Sequence, residues 1–227
     1  MQFYTESLYP LQDGVLRIVG DLKLPFYLTG GTALSRQYLR HRFSDDLDLF
    51  VNDDEHFSSH VEQLLAILSD KRTPRALEVM SDATISAQAY ARLFVVGYGV
   101  QLKVDLVNDI PAHFGEFQIV EPLGKVDSWR NILSNKISAL FRFSEKDYVD
   151  VWGIARKYAF DWKEIVSEAK HKEAAVDPGE IASVFLSFPF EKLEVIKWVE
   201  GFDYSRIKED FKTISEDVFY GRINSLR

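Results

Sequence analysis

Two aspartates one residue apart, Asp46 and Asp48, follow a Gly30-Gly31-Thr32 step after thirteen intervening residues, and this spacing is the strongest chemical signal in the chain. In an extended segment, residues two apart share a face, so both carboxylates point one way while Leu47 and Leu49 point into the core. Aspartate is depleted in strands, and two like charges this close raise one another's pKa or demand a cation between them. A hard, oxygen-ligated ion meets that demand, and magnesium accepts one or two carboxylates together with substrate phosphates. The Gly-Gly-Thr step lies between an apolar strand and a helix start, where backbone N–H groups and the positive end of the helix dipole can hold a phosphate. Glycine lets a triphosphate approach the backbone closely. Alone the step reads as a turn; its spacing to the paired aspartates is what makes the signal strong.

A third carboxylate follows downstream. In Val100-Gln101-Leu102-Lys103-Val104-Asp105-Leu106 the apolar residues alternate, placing Asp105 on the face opposite Val104 and Leu106. If this strand lies beside that of Asp46, three carboxylates converge, as a two-metal site for in-line phosphoryl displacement requires. The plainer alternative is a solvated aspartate on a half-exposed strand. Other chemistries lack support: His56 and His60 have the spacing of a zinc pair but no adjacent glutamate or third ligand, and there is no P-loop, dinucleotide fingerprint or serine nucleophile elbow. The chain has no cysteine, which excludes disulfides, thiolate metal sites and cysteine nucleophiles.

Elements that could carry these residues alternate in type over the first half. Helical signals span 8–22, 32–42 and 55–69; strand signals span 26–29, 46–51, 76–80, 92–96 and 100–107. This order predicts an α+β fold, a mixed sheet with helices packed on it. Past Pro111 the strand signal fades, and from about Asp127 the chain turns helical to its end, with helices expected at 128–143, 145–158, 165–175, 178–186, 191–199 and 204–225. Ser144 reads as an N-cap, Asp147 as its capping-box partner, and Phe143 with Tyr148 as a hydrophobic staple. Two domains are therefore expected: a catalytic one over 1–126, and a helical one over 127–227 that contributes to the active-site cleft.

With 227 residues, 46% of them hydrophobic, the chain can bury a sizeable core, and no apolar run approaches the roughly 20 residues needed to cross a bilayer. The N-terminus lacks the pattern of a signal peptide, so the expected location is the cytoplasm, with no membrane contact. A net charge of −8 argues against coating nucleic acid by bulk electrostatics, so any such contact must be local. Cationic positions gather around Arg36, Arg40, His41 and Arg42, and again around Lys136, Arg142, Lys146, Arg156 and Lys157; without the carboxylate motif, solvated helix faces would be the favoured reading of them.

Three stretches together resemble the nucleotidyltransferase superfamily and, within it, the AbiEii/AbiGii toxin family: GGTALSRQYLRHRFSDDLDLF from Gly30, KVDL from Lys103, and SWRNILSNKISALFRFSEKDYVDVWGI from Ser128. The resemblance implies transfer of a nucleoside monophosphate from a nucleoside triphosphate, with pyrophosphate leaving. Relatives act as toxins of toxin–antitoxin pairs and some modify the 3′ end of transfer RNA, which implies tRNA or another small RNA as acceptor and an antitoxin encoded nearby. By the same resemblance Gly30, Gly31 and Thr32 hold the triphosphate, and Asp46, Asp48 and Asp105 hold Mg2+, or Mn2+ in its place, in a two-metal site. Asp105 also helps to deprotonate the attacking hydroxyl. Lys136 contacts the triphosphate, Asp150 supports the nucleotide side of the cleft, Arg42 and Ser44 touch phosphate, and Asp147 stands below Asp150 as a nucleotide-binding candidate because a capping role explains it. Two other readings are transfer to a small molecule or protein, and a catalytically silent binding module. The intact acidic triad, Gly-Gly-Thr step and Lys136 disfavour the last.

Overall fold

The computed structural model describes residues 2–70, 77–80 and 84–227. Contacts divide the chain into two compact units, one of Met1–Ala33 with Phe43–Asp127, the other of Leu34–Arg42 with Ser128–Arg227. The second unit thus takes in nine residues that the sequence alone places with the first.

In the first unit, eight strands among the described residues form one open mixed sheet: β1 (Tyr27–Thr29), β2 (Leu47–Asn52), β3 (Leu77–Val79), β4 (Ile85–Ala87), β5 (Tyr90–Gly97), β6 (Val100–Asp109), β7 (Gln118–Val120) and β8 (Gly124–Val126). Their order is β3-β5-β6-β2-β1-β8-β7, with β4 paired to β5. β2 runs parallel to β6 and antiparallel to β1. Burial alternates along β2 and β5, so Leu47, Leu49 and Val51 join Ala91, Leu93, Val95, Leu102, Val104 and Leu106 on one fully covered face. Helices α1 (Tyr9–Asp21) and α3 (Phe57–Leu68) bury the stripes Leu11-Val15-Ile18 and Phe57-Val61-Leu64-Leu68. The helix–sheet approach is close enough that a Cβ on Gly14 of α1 would come within 2.7 Å of Leu77 on β3. The opposite face of the sheet carries the polar residues.

Several expectations are corrected. The helix read over 32–42 is one α-turn, α2 (Gly30–Ala33), followed by a π-helix, Leu34–Leu39, which Arg40 closes in the left-handed region with φ 54°. The wider turn hands the chain to an irregular segment in which the Ser35 hydroxyl bonds the Arg42 carbonyl at 2.5 Å. Strands do form past Pro111, but β7 and β8 are three residues each and exist through pairing with each other and with distant β1, which no local periodicity reveals. β4, exposed throughout, left no alternation to read. The strand expected from Ala76 begins at Leu77 among the described residues; Ala76 lies outside them.

In the second unit, α4 (Trp129–Ala139), α5 (Glu145–Lys157), α6 (Trp162–Lys172), α7 (Pro178–Leu186) and α8 (Tyr204–Tyr220) surround a core in which Trp162 is fully buried and Tyr148 packs with Phe185, Phe188 and Phe211. The helix expected to continue to Phe143 stops at Ala139. It tightens into a 3-10 turn and ends at Phe143, held at φ 54°. The capping box does not form: the Ser144 side chain makes no cap hydrogen bond, and Asp147 uses its carboxylate on Lys136 instead. The staple is absent too, since Phe143 is 58% exposed while Tyr148 is buried. Residues 191–199 form a 3-10 turn, Phe190–Val195, rather than an α-helix, and α8 ends five residues earlier than read, at left-handed Gly221.

Candidate active site

The register of the sheet builds the site. Thr29 pairs with Asp48, Asp48 with Asp105, and Asp105 with Arg92, so one row of polar side chains crosses β1, β2, β6 and β5 on the open face. Directly paired residues share a face, and positions two away, Asp46, Lys103 and Tyr90, extend the row sideways. The strand of Asp105 does lie beside that of Asp48, while Asp46, expected to open the strand, stands one residue ahead of β2.

At the start of α2, Gly30 adopts φ 66°, and a Cβ there would overlap the Asp48 carboxylate. Only glycine permits both the left-handed turn and this approach. Gly31 and Thr32 are buried behind it. The Thr32 hydroxyl donates to the Asp46 carbonyl at 2.5 Å, tying the turn to the aspartate strand. Thr32's side chain therefore braces the turn.

Asp46 and Asp105 already have cationic partners. Asp105 accepts two bonds from Arg92, at 2.7 and 3.0 Å, and one from the Tyr90 hydroxyl at 2.9 Å. Burial would raise its pKa, but the hydrogen bonds from Arg92 and Tyr90 and the nearby charges of Lys103 and Arg92 outweigh that and hold it below the ordinary carboxylate range. Lys103 Nζ stands 2.9 Å from Asp46 Oδ2 and 3.5 Å from Asp105 Oδ2. Burial works against its charge, yet Asp46 and Asp105 hold its pKa above the usual lysine value. Among the described residues no three His, Asp or Glu side chains converge at metal-ligand spacing. The donor set still suits a hard cation: the oxygens are carboxylates, Asp46 is 39% exposed, and an ammonium is accommodated between two of them.

Lys103, Arg92 and Tyr90 escaped the sequence reading, although parity offered a signal, since Lys103 is two residues before Asp105. A second group was also missed. Buried Asp127 accepts from the Thr29 hydroxyl at 2.6 Å and pairs with His113 Nε2 at 2.9 Å, continuing the polar row beyond β1. This group joins residues 98 positions apart, so only the tertiary fold could show it.

The second unit holds the remaining candidates in one ion-pair network. Arg42, 2% exposed, donates Nε and Nη2 to Asp150 at 2.7 and 2.8 Å; His41 Nε2 lies 2.8 Å from the same carboxylate, and Lys136 Nζ 2.9 Å. Lys136 also meets Asp147 at 2.5 Å. Burial opposes the Asp150 charge, but Arg42 and Lys136 overcome it and drive its pKa well down; for Lys136, burial is likewise overcome by Asp150 and Asp147, which push its pKa up. The segment 34–42 is fastened further by Lys157, which donates to the Tyr38 carbonyl, and by the absence of a side chain at Gly153, where a Cβ would come 2.9 Å from Leu39. Ser44, in the first unit, offers its carbonyl to Gln12 at 3.3 Å.

A mixed sheet bearing paired aspartates opposite a Gly-Gly-Thr turn defines a nucleotidyltransferase. The chain belongs to the family of the nucleotidyl transferase AbiEii toxin of type IV toxin–antitoxin systems, which matches residues 16–223. It is 27% identical over 197 residues to uncharacterized protein aq_aa25 of Aquifex aeolicus (strain VF5), covering 82% of this chain and 84% of that one. Among solved structures its fold is similar to JHP933 of Helicobacter pylori, 18% identical, with a TM-score of 0.60 over 94% of this chain and 90% of the other. A candidate nucleotidyltransferase of H. pylori, also 18% identical, gives 0.61 over 93% of each. No helix among the described residues is long and apolar enough to cross a membrane.

Proposed function

We propose that the protein transfers a nucleoside monophosphate from a nucleoside triphosphate to the 3′ hydroxyl of a small structured RNA, transfer RNA foremost, as the toxin of a pair whose antitoxin is encoded nearby. The observation that carries this reading is the in-register row of Asp48 and Asp105, with Asp46 alongside, facing the Gly30 turn. Asp46 and Asp48 hold magnesium and Asp105 completes the site. When bound, the metal polarises the triphosphate and offsets charge on the departing pyrophosphate. The backbone at Gly30, Gly31 and Thr32 receives the triphosphate. The acceptor hydroxyl attacks the α-phosphorus and gives up its proton to solvent, a new phosphodiester forms, the bond between the α-phosphorus and the bridging oxygen breaks, and pyrophosphate leaves with that oxygen. Asp105, with both oxygens held by cations, acts as a fixed charge more than as a base. Arg42, Lys136, Asp147 and Asp150 act through position: their network fixes the segment 34–42 that connects Thr32 to the aspartate strand.

Support for RNA over a small acceptor comes from the helical unit, where Arg40, Arg206, Trp152 and Trp198 line one groove together with Glu200 and Asp203. Cations interleaved with aromatic faces are the chemistry by which single-stranded ends are held. The test is incubation with each labelled nucleoside triphosphate, magnesium and total cellular RNA. Label is expected on small RNA and should vanish when the RNA's terminal ribose is oxidised beforehand. Label on protein or a small molecule, with RNA unlabelled, would replace the acceptor while leaving the metal chemistry in place.

A further inference from the structure

We propose that Lys103 is the resident counter-ion of the carboxylate site, neutralising the same aspartates that a divalent cation binds, so that metal enters only by displacing it. The proposal rests on the reading of Asp46, Asp48 and Asp105 as the metal-binding set. One ammonium spans carboxylates from two neighbouring strands, 2.9 Å from Asp46 and 3.5 Å from Asp105. Leu47 pairs with Val104, and Asp46 and Lys103 immediately precede those two partners in sequence, so the ion pair sits at the start of the β2–β6 ladder.

Arg92 and Lys103 differ in kind. Arg92 presents a planar fork to both oxygens of Asp105 alone, and Tyr90 adds a third bond there. That geometry fixes the carboxylate in orientation. Lys103 is a compact charge on a flexible stem, 30% exposed, and it can swing toward solvent without disturbing a strand. A metal and an ammonium within a few ångströms of each other repel, at surface-like dielectric, by an amount equal to on the order of a hundredfold or more in affinity. The lysine therefore weakens the binding of metal alone. Its release during loading frees a cation on the same face as the Gly30 turn, where a triphosphate can re-pair it, so metal and nucleotide bind together better than either binds separately.

Calorimetric titration of the full chain with Mn2+ alone, at constant ionic strength, tests this without reference to turnover. Lys103→Met, which keeps the aliphatic stem, is expected to bind Mn2+ about tenfold or more tightly than the wild type. Its metal-free form should melt lower, and Mn2+ should raise that melting temperature by more than it raises the wild type's. Lys103→Gln serves as the second variant should the first fail to fold. Lys125→Met, which removes a lysine from the same unit that lies over Phe117 at 4.0 Å, should leave the affinity unchanged. Equal or weaker binding by both Lys103 variants, or an equal gain from Lys125→Met, overturns the proposal. Asp46→Asn separates it from the reading beneath: binding abolished by Asp46→Asn yet indifferent to Lys103 refutes the counter-ion alone, whereas binding that survives Asp46→Asn refutes the metal site itself and the counter-ion with it.

Discussion

Asp46 and Asp48 illustrate how a residue's neighbours decide what its removal does. Two unpaired carboxylates on one strand face would repel, and neutralising either would then stabilise the metal-free protein. In the structure Lys103 already supplies the opposing charge to Asp46, so that gain disappears. Asp46→Asn should therefore leave a folded protein whose stability changes by less than about 1 kcal/mol, because the lost pair is solvent-screened. Asp48→Asn should also fold, since the side-chain shape beside Gly30 is nearly kept. Both variants should lose metal-dependent nucleotide transfer by about a hundredfold or more. Circular dichroism melts alongside a pyrophosphate-release assay check both halves of this expectation; near-normal transfer by either variant would contradict the ligand assignment.

At the scale of elements, α5 is joined to α4 and to the segment 34–42 by buried charge. Asp150 is fully buried and faces Arg42, His41 and Lys136. Replacing it leaves buried cations without their counter-charge, a loss of about 3–5 kcal/mol. Asp150→Asn should accordingly lower the melting temperature strongly at neutral pH. Because the folded pKa of Asp150 is depressed, its stabilisation is present above the unfolded value of about 4 and is lost as pH falls through the folded value. The pKa of Lys136 is raised, so its share is present below about 10.4 and is lost as pH climbs through its folded value. The gap between wild type and Asp150→Asn should thus be level from about pH 5 to 9, and narrow in strong acid and again in strong alkali. Urea titrations across that range measure it, and a gap that narrows within it would contradict the assignment to Asp150. This network also changes the expectation for Lys136, whose ammonium is held by two carboxylates and only 14% exposed, unlike a solvated cation.

For the whole molecule, a net charge of −8 must be reconciled with an anionic acceptor. The cations available in the helical unit are fewer than a count suggests. Arg156 is committed to Asp210 at 2.8 Å and Lys157 to the Tyr38 carbonyl, while Arg40, outside the helix in which it was expected, is exposed along the groove with Arg206. A site with so few cations neutralises about two phosphates, so a double-logarithmic plot of RNA affinity against salt should have a slope of about −1 to −2. Filter binding between low and physiological salt gives the slope directly. A value near that of a basic duplex-binding protein would locate binding on a surface other than this groove.

Sequence determined whatever depends on near neighbours. The alternation of 100–106 placed Asp105 on the polar face, two-residue parity aligned Asp46 with Asp48, and glycine at position 30 announced a turn that no other residue tolerates. It also located the helices α5 and α7 almost to the residue, because their stripes and starts are local. Tertiary structure decided whatever depends on which strangers meet. Nothing in 145–148 distinguishes a capping carboxylate from an ion-pair partner until α4 brings Lys136 alongside. β8 is a strand only because β1 lies next to it, and Asp127 finds Thr29 and His113 only through that pairing. The reason is common to all three: periodicity records the solvent and core that a single element faces, whereas charge pairing and strand order are properties of two elements at once, and their energy appears only when the chain closes.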